Sequence, residues 1–245
     1  MRYWFMAHTF ENRHIVVTGG TGALGSGVCS LLLYSGARVS IPVFNDEELE
    51  NFEYREHSNL YAARRVNLAD EDQASGFYRQ AVDQQGPLWA SIHIAGGFGM
   101  GKIADTGLKD FRKQLDMNLV TCFNCSKAAV QHMRNNGGHG GRIVNIAARP
   151  ALEPRQGAGM TAYATAKAGV AAFTVALAEE LAGENILVNA IAPSIIDTEA
   201  NRKSMPDADH SKWPKPEELA RQIVMLISPS NTVTRGSIIT VYGRS

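Results

Sequence analysis

Eight residues, 18–25, read TGGTGALG and leave few choices for the fold around them. An apolar run at residues 14–17 precedes them and a helical pattern at residues 28–34 follows, which predicts a strand, a tight turn and a helix start. Glycine permits a positive φ and a close approach to a ligand, and the free N–H groups of the helix face any anion there. The stretch predicts either a dinucleotide pyrophosphate site or a turn that needs glycine only for steric reasons.

Further strands and helices are predicted to alternate along the chain. The strands fall at residues 37–41, 60–66, 89–94, 142–147, 186–191 and 237–241. Such alternation implies a parallel sheet with right-handed crossovers. The 245 residues contain no repeat and no low-complexity linker, so we expect one domain, 1–245.

Charge and cysteine content exclude several classes of partner. Lys+Arg and Asp+Glu both number 24, so no nucleic-acid surface or polybasic membrane patch is predicted. The apolar N-terminus, residues 1–7, is too short for a signal peptide, and no stretch approaches the roughly 18 apolar residues of a membrane helix. Three cysteines allow no disulfide framework, and the CxxC of Cys122 and Cys125 has no second pair or nearby histidine for a metal. We expect a cytoplasmic protein, no metal and a small-molecule partner.

Tyr163 and Lys167 are candidates for acid–base chemistry. Four residues apart on a predicted helix, they share one face, where the ammonium would lower a phenol pKa that is ordinarily about 10. The alternative is an exposed pair without function. Asn118 lies inside a helical pattern at residues 110–133, where asparagine is mildly unfavourable. His93 is expected to be a hydrogen-bonded core residue.

Together these motifs resemble the short-chain dehydrogenase/reductase family along the whole chain. The motifs that carry the resemblance are residues 18–25, Ala95 with Gly96, Asn118, Tyr163 with Lys167, and Pro193 with Thr198. The resemblance implies an α/β fold, a single Rossmann-type doubly wound domain with a seven-stranded parallel sheet. It also implies an NAD(P)-dependent oxidoreductase with Tyr163 as general acid/base. Lys167 would bond the nicotinamide ribose and hold down the Tyr163 pKa, Asn118 would anchor a water-linked proton path, and Thr198 would meet the carboxamide.

By position, the resemblance also implies which residues bind the cofactor. They are Gly19, Thr21, Gly22, Ala23, Leu24, Gly25, Val43, Asn67, Leu68, Ala95, Gly96, Gly97, Tyr163, Lys167, Pro193, Ser194, Ile196 and Thr198. Val43 ends the second strand, where an acid would bond the ribose 2′-OH and a basic group would accommodate a 2′-phosphate. Valine does neither, so we expect poor discrimination between NAD and NADP with a slight lean to NADP. Asn45 and Asp46 are expected to cap the next helix.

The chain departs from the family in three places. The serine that polarises a substrate carbonyl is replaced by Ala147 or Ala148, unless Thr161 or Thr165 supplies the hydroxyl. Where the family usually has Asn-Asn-Ala-Gly, residues 93–96 read His-Ile-Ala-Gly, and Asn67 stands where the family usually has an acidic residue that contacts adenine. The missing serine argues against ordinary carbonyl reduction.

Dihydropteridine reductases, one branch of the family, share these oddities. They have Ala-Gly-Gly-aromatic after the fourth strand, as at residues 95–98, and a segment much like 201–209, NRKSMPDAD, followed by Trp. The resemblance implies reduction of a quinonoid dihydropteridine or another flat conjugated acceptor. Ketone or 3-oxoacyl reduction and a non-catalytic dinucleotide-sensing protein are the alternatives.

Substrate contacts are expected from a small set of residues: Phe98, Ala148, Met205 and Trp213. Met205 and Trp213 belong to a predicted loop or mobile lid near residues 194–215, because periodicity stops at residues 199–213. Family members commonly pair through the helices that correspond to residues 110–133 and 162–182. A homodimer or homotetramer is therefore expected.

Overall fold

Seven parallel strands form one sheet in the computed structural model, which describes residues 9–245. The strands are β1 (His14–Thr18), β2 (Arg38–Val43), β3 (Leu60–Arg64), β4 (Leu88–His93), β5 (Gly141–Ile146), β6 (Ile186–Pro193) and β7 (Ile238–Val241). Their order is β3-β2-β1-β4-β5-β6-β7, and each neighbouring pair runs parallel. The chain direction across the sheet reverses between β1 and β4, which is where doubly wound folds bind ligands. The predicted single α/β domain with a seven-stranded sheet is confirmed.

Helices cover both faces of this sheet. They are α1 (Ala23–Tyr34), α2 (Asp46–Glu50), α3 (Glu71–Gln85), α4 (Leu108–Leu115), α5 (Thr121–Arg134), α6 (Arg149–Leu152), α7 (Thr161–Glu180), α8 (Glu199–Ser204) and α9 (Pro216–Ile227). Ile15 and Val17 of β1 join one apolar cluster with α1 and α9, whereas Val16 joins a second cluster with α3, α5 and α7. Successive strand side chains point to opposite faces, so the sheet is buried on both sides.

The helical pattern at residues 110–133 is interrupted in the structure. α4 ends at Leu115, a π-helical turn spans Asp116–Val120, and α5 then begins. The prediction of one uniform helix is therefore wrong at the turn that contains Asn118. A π turn widens the helix locally and is frequent at functional sites, but apolar periodicity does not reveal it.

Residues 199–213 are more regular than predicted. α8 and a 3₁₀ turn at His210–Lys212 lie within the segment that was expected to be a loop. Thr198 caps α8, because its hydroxyl oxygen accepts a hydrogen bond from Asn201 N at 3.2 Å. The side chain of Asp70 caps α3, whereas Asn45, which was expected to cap α2, stands at its N-cap position without accepting a backbone hydrogen bond.

The 20-residue helix α7 is, within residues 9–245, the one helix long and apolar enough to cross a membrane by length and composition alone. The expectation of no membrane helix rested on strictly apolar runs, and threonines and Lys167 interrupt the apolar residues of this helix. α7 packs against β5, β6 and α4, and its Val170, Ala171 and Thr174 are buried. It therefore forms part of the domain core. Residues 1–7, which were judged too short for a signal peptide, lie outside the described residues.

Candidate active site

The glycine-rich turn joins β1 to α1, and two of its glycines have no room for a side chain. A Cβ on Gly25 would lie 2.0 Å from the carbonyl oxygen of Gly19. A Cβ on Gly19, whose φ is +65°, would lie 2.9 Å from Ala95 N. Gly22 is the N-cap of α1, and none of the residues in the first turn of this helix is acidic. The turn thus presents backbone N–H groups and the positive end of a 12-residue helix, which fits a pyrophosphate.

The segment after β4 is held between β1 and the π turn. Ala95 N donates a hydrogen bond to the hydroxyl of Thr18 at 3.0 Å. Asn118 Oδ1 accepts from Gly97 N at 3.2 Å, and Asn118 Nδ2 donates to the Gly97 carbonyl at 2.9 Å. A Cβ on Gly96 would lie 2.6 Å from Asn118 Oδ1, so the backbone is closely packed here. The structure therefore brings together Asn118 and the predicted cofactor-binding residues of this segment.

Tyr163 and Lys167 lie in the first two turns of α7, on one face as predicted. The ammonium Nζ of Lys167 is 6.0 Å from the centroid of the Tyr163 ring and donates a hydrogen bond to the Ile146 carbonyl at 2.8 Å. Burial raises the pKa of Tyr163 to about 12 and lowers the pKa of Lys167 to about 8. The expected lowering of the Tyr163 pKa is therefore not found, because burial disfavours the phenolate and the ammonium bonds a carbonyl instead. The phenol keeps its proton at neutral pH and can donate it.

Phe98 and Tyr163 are in edge-to-face contact, with ring centroids 5.0 Å apart and planes at 81°. Phe98 is 60% exposed, so most of its ring is open to a ligand. A cavity of about 240 Å³ lies beside it, between residues 98–106, α4 and Ala162 at the start of α7. The structure thus places one predicted substrate-binding residue directly against the candidate proton donor.

The hydroxyl that the family uses beside its tyrosine is missing in this chain. Ala147 and Ala148 are buried after β5, and Ala148 is the N-cap of α6. Thr161 and Thr165 are exposed on α7, each two residues from Tyr163. Two residues correspond to about 200° around an α-helix, so neither threonine shares the face of Tyr163. The structure therefore does not bring the hydroxyl of Thr161 or Thr165 to the phenol.

Four further predicted cofactor residues lie at or just after the carboxyl end of β6. Pro193 ends β6, and the hydroxyl of Ser194 donates to the Tyr242 carbonyl at 2.9 Å. The carbonyl of Ile196 accepts from Asn201 Nδ2 at 2.8 Å. Thr198 lines a cavity of about 1030 Å³ between α1 and the segment 197–221. This cavity adjoins the start of α1, where the glycine-rich turn ends.

On the other side of β1, Val43 and Leu68 are buried and Asn67 bonds its own loop. Val43 pairs with Arg64 at the end of β3. The carbonyl of Leu68 accepts from Asn124 Nδ2 at 3.0 Å, and Asn67 Oδ1 accepts from Ala69 N at 3.1 Å. Their contacts with a cofactor stay a prediction.

Met205 and Trp213 both contact His210, within the predicted lid. The Trp213 side chain is packed so that only 6% of the residue is exposed, and its ring lies 4.6 Å from that of His210. The carbonyl of Met205 accepts a hydrogen bond from His210 Nε2 at 2.8 Å. Neither residue lines the cavity beside Phe98. The structure does not bring them to Tyr163 in this arrangement, so their contact with substrate stays a prediction.

His93 is a hydrogen-bonded core residue, as predicted. Its Nδ1 lies 2.7 Å from Asn145 Oδ1 and donates to it, while Nε2 accepts from the Ser91 hydroxyl at 2.8 Å. Asn145 Nδ2 donates in turn to Thr174 of α7 at 2.9 Å. Burial lowers the pKa of His93 to about 4, so the imidazole is neutral. This chain of buried groups ties β4 and β5 to α7, the helix that carries Tyr163 and Lys167.

Two cysteines lie in α5, the helix that follows the π turn. Cys122 and Cys125 are buried in α5, and burial raises the pKa of Cys122 to about 12. Within the described part of the chain, no group of three His, Cys, Asp or Glu side chains could hold a metal ion.

Sequence reasoning missed Glu48, whose Oε2 accepts a hydrogen bond from Thr21 of the glycine-rich turn at 3.0 Å. Its only signal in the sequence is its place five residues after Val43.

Comparison with known proteins agrees with this arrangement. The family profile described as short chain dehydrogenase matches residues 13–209. A 3-oxoacyl-(acyl-carrier-protein) reductase of Chlamydia muridarum is 29% identical, and the alignment covers 95% of this chain and 96% of that protein. The 2,3-dihydroxy-2,3-dihydro-p-cumate dehydrogenase of Pseudomonas putida is also 29% identical, with 96% and 95% covered. The crystal structure of a short-chain dehydrogenase/reductase from Brucella melitensis superposes with a TM-score of 0.83 at 26% identity, and 97% of each chain is covered.

These relatives act on chemically different substrates, so their names identify a family and not an acceptor. Each is named as a dehydrogenase or a reductase, and each aligns with nearly the whole length of this chain. The profile match spans the glycine-rich turn, Asn118, Tyr163 and Lys167. The chain therefore belongs to the short-chain dehydrogenase family and is an NAD(P)-dependent oxidoreductase.

Proposed function

We propose that this protein reduces a flat conjugated acceptor, a quinonoid dihydropteridine or a similar ring, with NADH or NADPH as the reductant. The observation that carries the proposal is that Ala147 and Ala148, which stand where the family has its serine, are buried and carry no hydroxyl. The resemblance of residues 95–98 and 201–209 to dihydropteridine reductases supports the same acceptor.

The missing hydroxyl matters because of where charge develops. A ketone oxygen gathers negative charge as hydride arrives, and loss of one hydrogen-bond donor there can lower the rate by about 10² to 10³. Ala148 has no donor on its side chain. A quinonoid ring spreads the charge over several nitrogens and needs a single proton, which Tyr163 can supply. The chain therefore suits an acceptor that does not need a second donor.

The environment of Tyr163 also suits a flat ring. Phe98 is exposed beside the phenol, and stacked or edge-to-face aromatic contacts are worth about 0.5 to 1.5 kcal/mol beyond burial. Residues 194–215 are proposed to act as a substrate lid. Met205 and Trp213 would reach the substrate only if this lid moved, because Trp213 now packs on His210.

The chain's own residues have separable parts in the reaction. Gly19 and Gly25 let the turn close tightly, because a Cβ on either would meet the protein's own backbone, and the backbone N–H groups at the start of α1 would bind the pyrophosphate of the cofactor. Hydride transfer is the chemistry that the cofactor supplies when it is bound. Tyr163 holds a proton on its phenol oxygen and gives it to a ring nitrogen of the acceptor, so that the acceptor gains one hydride and one proton. Lys167, buried and bonded to the Ile146 carbonyl, keeps a positive charge near the phenol.

Two alternatives remain from the sequence. Reduction of 3-oxoacyl thioesters or ketones is supported by the activity named for the Chlamydia muridarum relative. A non-catalytic dinucleotide-sensing role has less support, because the chain retains Asn118, Tyr163 and Lys167 and its relatives are named as enzymes.

The test is a cofactor-oxidation assay with three acceptors side by side: quinonoid dihydropterin, a model quinone and an acetoacetyl thioester. We expect turnover of the dihydropterin, and turnover of the thioester alone would contradict the proposal. Ala148→Ser is expected to restore the hydroxyl and to raise thioester reduction selectively, and Ala147→Ser tests the other position at which the family serine can stand. An Ala148→Ser variant that changes no acceptor's rate would show that the missing hydroxyl does not select the substrate.

Val43 stands where other nicotinamide-binding folds distinguish NAD from NADP. This side chain is buried, so it neither bonds a ribose 2′-OH nor repels a 2′-phosphate, and taken alone it predicts weak discrimination with a slight lean to NADP(H).

We propose a homodimer or homotetramer that pairs through α4, α5 and α7. Phe123 of α5 and Phe173 of α7 have ring centroids 6.0 Å apart, and Phe123 is 47% exposed, so these helices carry an apolar surface. Light scattering at micromolar concentration tests this, since a mass of 26.6 kDa would indicate a monomer. A cytoplasmic location remains a prediction, supported by three buried, unpaired cysteines.

A further inference from the structure

We infer that Glu48 reads the adenosine-side ribose of the cofactor and makes this chain prefer NAD(H) to NADP(H). The inference rests on the NAD(P)-dependent activity of the proposed function and deepens it at one site. It reverses the slight lean to NADP(H) that Val43 alone would predict.

Glu48 is tied directly to the glycine-rich turn, although 27 residues separate it from Thr21. The Thr21 hydroxyl donates to Glu48 Oε2 at 3.0 Å, and Asn45 Nδ2 donates to Glu48 Oε1 at 3.1 Å. These two contacts aim the carboxylate at the turn. Since β2 is the neighbour of β1 on the side away from β4, α2 brings Glu48 to the half of the crevice where doubly wound folds hold the adenosine ribose.

The charge of this carboxylate is not neutralised by its hydrogen-bond partners. Thr21 and Asn45 are both neutral, and each uses only one of the carboxylate's several acceptor positions. Glu48 can therefore still accept a hydrogen bond from a ribose hydroxyl. A 2′-phosphate would bring about −1.5 to −2 of charge to the same place, and like charges repel.

Two arginines contact the same helix, α2, and both are paired with its other acids. Arg64 Nη2 lies 2.7 Å from Glu50 Oε1, and Arg64 Nη1 lies 3.6 Å from Asp46 Oδ1. Arg65 Nη2 lies 2.8 Å from Asp46 Oδ2. A 2′-phosphate would have to compete with these carboxylates for either guanidinium. The groups that could favour NADP(H) are thus engaged by acids of α2, whereas the group that opposes it is held by neutral donors.

The test is fluorescence titration of the full chain with NADH and with NADPH, which measures binding independently of turnover. The variant is Glu48→Gln, and Glu47→Gln is the matched control. Glu47 is an exposed neighbour on the same helix, and the variant loses the same charge without a contact to Thr21. Each variant is titrated at about 0.02 M and about 0.5 M salt, because screening weakens repulsion between exposed charges.

We expect the wild type to bind NADH at least about tenfold more tightly than NADPH at low salt, and the ratio to shrink at high salt. Glu48→Gln is expected to bring the ratio to within about threefold, mainly by tightening NADPH binding, while Glu47→Gln keeps the wild-type ratio. If Glu48→Gln does not fold, Glu48→Asp keeps the charge but shortens the side chain, and NADH binding is then expected to weaken without a gain for NADPH.

Other outcomes overturn the inference. A wild-type ratio within about threefold would show that Glu48 does not discriminate. An unchanged ratio in Glu48→Gln, or in Glu48→Asp when that variant replaces it, would show that another residue reads the ribose. Equal loss of both nucleotides in the measured Glu48 variant would show that Glu48 only shapes the turn. Wild-type protein that binds neither nucleotide would contradict the proposed function itself.

Discussion

The Asn118 side chain forms hydrogen bonds with both backbone groups of Gly97: its Oδ1 accepts from Gly97 N at 3.2 Å, and its Nδ2 donates to the Gly97 carbonyl at 2.9 Å. The π turn at Asp116–Val120 places the Asn118 side chain for this contact. A side chain inside a helix thus holds a loop 21 residues away, and we predict that this loop forms one wall of the cofactor crevice. We therefore predict a positioning role for Asn118 in addition to the proton path that the family resemblance implies.

Asn118→Ala is expected to lower kcat/KM by about 10- to 100-fold, because displacement of a positioning group by about 1 Å can cost that much. Steady-state kinetics with each reduced cofactor measure the change. Asn135→Ala is the control, since the Asn135 side chain donates to the Gln131 carbonyl at the exposed end of α5. Wild-type kinetics in Asn118→Ala would contradict the role of the two hydrogen bonds.

Tyr163→Phe is expected to remove most turnover and leave cofactor affinity nearly unchanged. General acid/base groups typically contribute about 10² to 10⁴ in rate, and the variant keeps the ring that contacts Phe98. Turnover and nucleotide affinity are measured on the same preparation. Tyr61→Phe serves as the control, because that hydroxyl donates to Gln80 on the surface. An active Tyr163→Phe enzyme would rule out Tyr163 as the proton donor.

Gly25→Ala is expected to weaken nucleotide binding at least about tenfold, because its Cβ would lie 2.0 Å from the Gly19 carbonyl oxygen and the turn must shift. Overpacking of this kind also costs about 1 to 3 kcal/mol of the free energy of unfolding. Gly183→Ala is the control, since no atom lies within 4 Å of its added Cβ. Titration with NADH and urea unfolding measure the two effects, and normal binding by Gly25→Ala would refute the steric argument.

The stability of the protein is expected to fall as the pH drops from 7 to 5. Burial lowers the pKa of His93 to about 4, whereas an unfolded histidine has a pKa of about 6.5. The unfolded state therefore takes up a proton that folded His93 refuses, which costs about 2 kcal/mol over this range. His14, whose pKa burial also lowers to about 4, contributes in the same direction.

Urea unfolding at pH 7 and pH 5 checks this, with His93→Asn as the variant. We expect its stability to change by about 2 kcal/mol less than that of the wild type, while the effect of His14 remains. Equal pH dependence in the two proteins would show that His93 is protonated without cost in the folded state.

Much of the fold and the candidate site follows from local patterns. Residues 18–25 predict a strand, turn and helix, because glycine meets a steric need that Gly19 and Gly25 indeed have in the structure. The spacing of Tyr163 and Lys167 places them on one helix face, and apolar periodicity predicts seven strands. These properties depend on neighbours along the chain, so the sequence alone contains them.

Packing decides the properties that join distant elements. The contact between Thr21 and Glu48 exists because β1 and β2 are neighbours in the sheet, and no spacing in the sequence indicates it. The Tyr163 pKa rises although Lys167 is near, because burial is a property of the assembled core and opposes the phenolate. Periodicity and steric demand act over a few residues, whereas burial and charge act through space between segments that only the folded chain brings together.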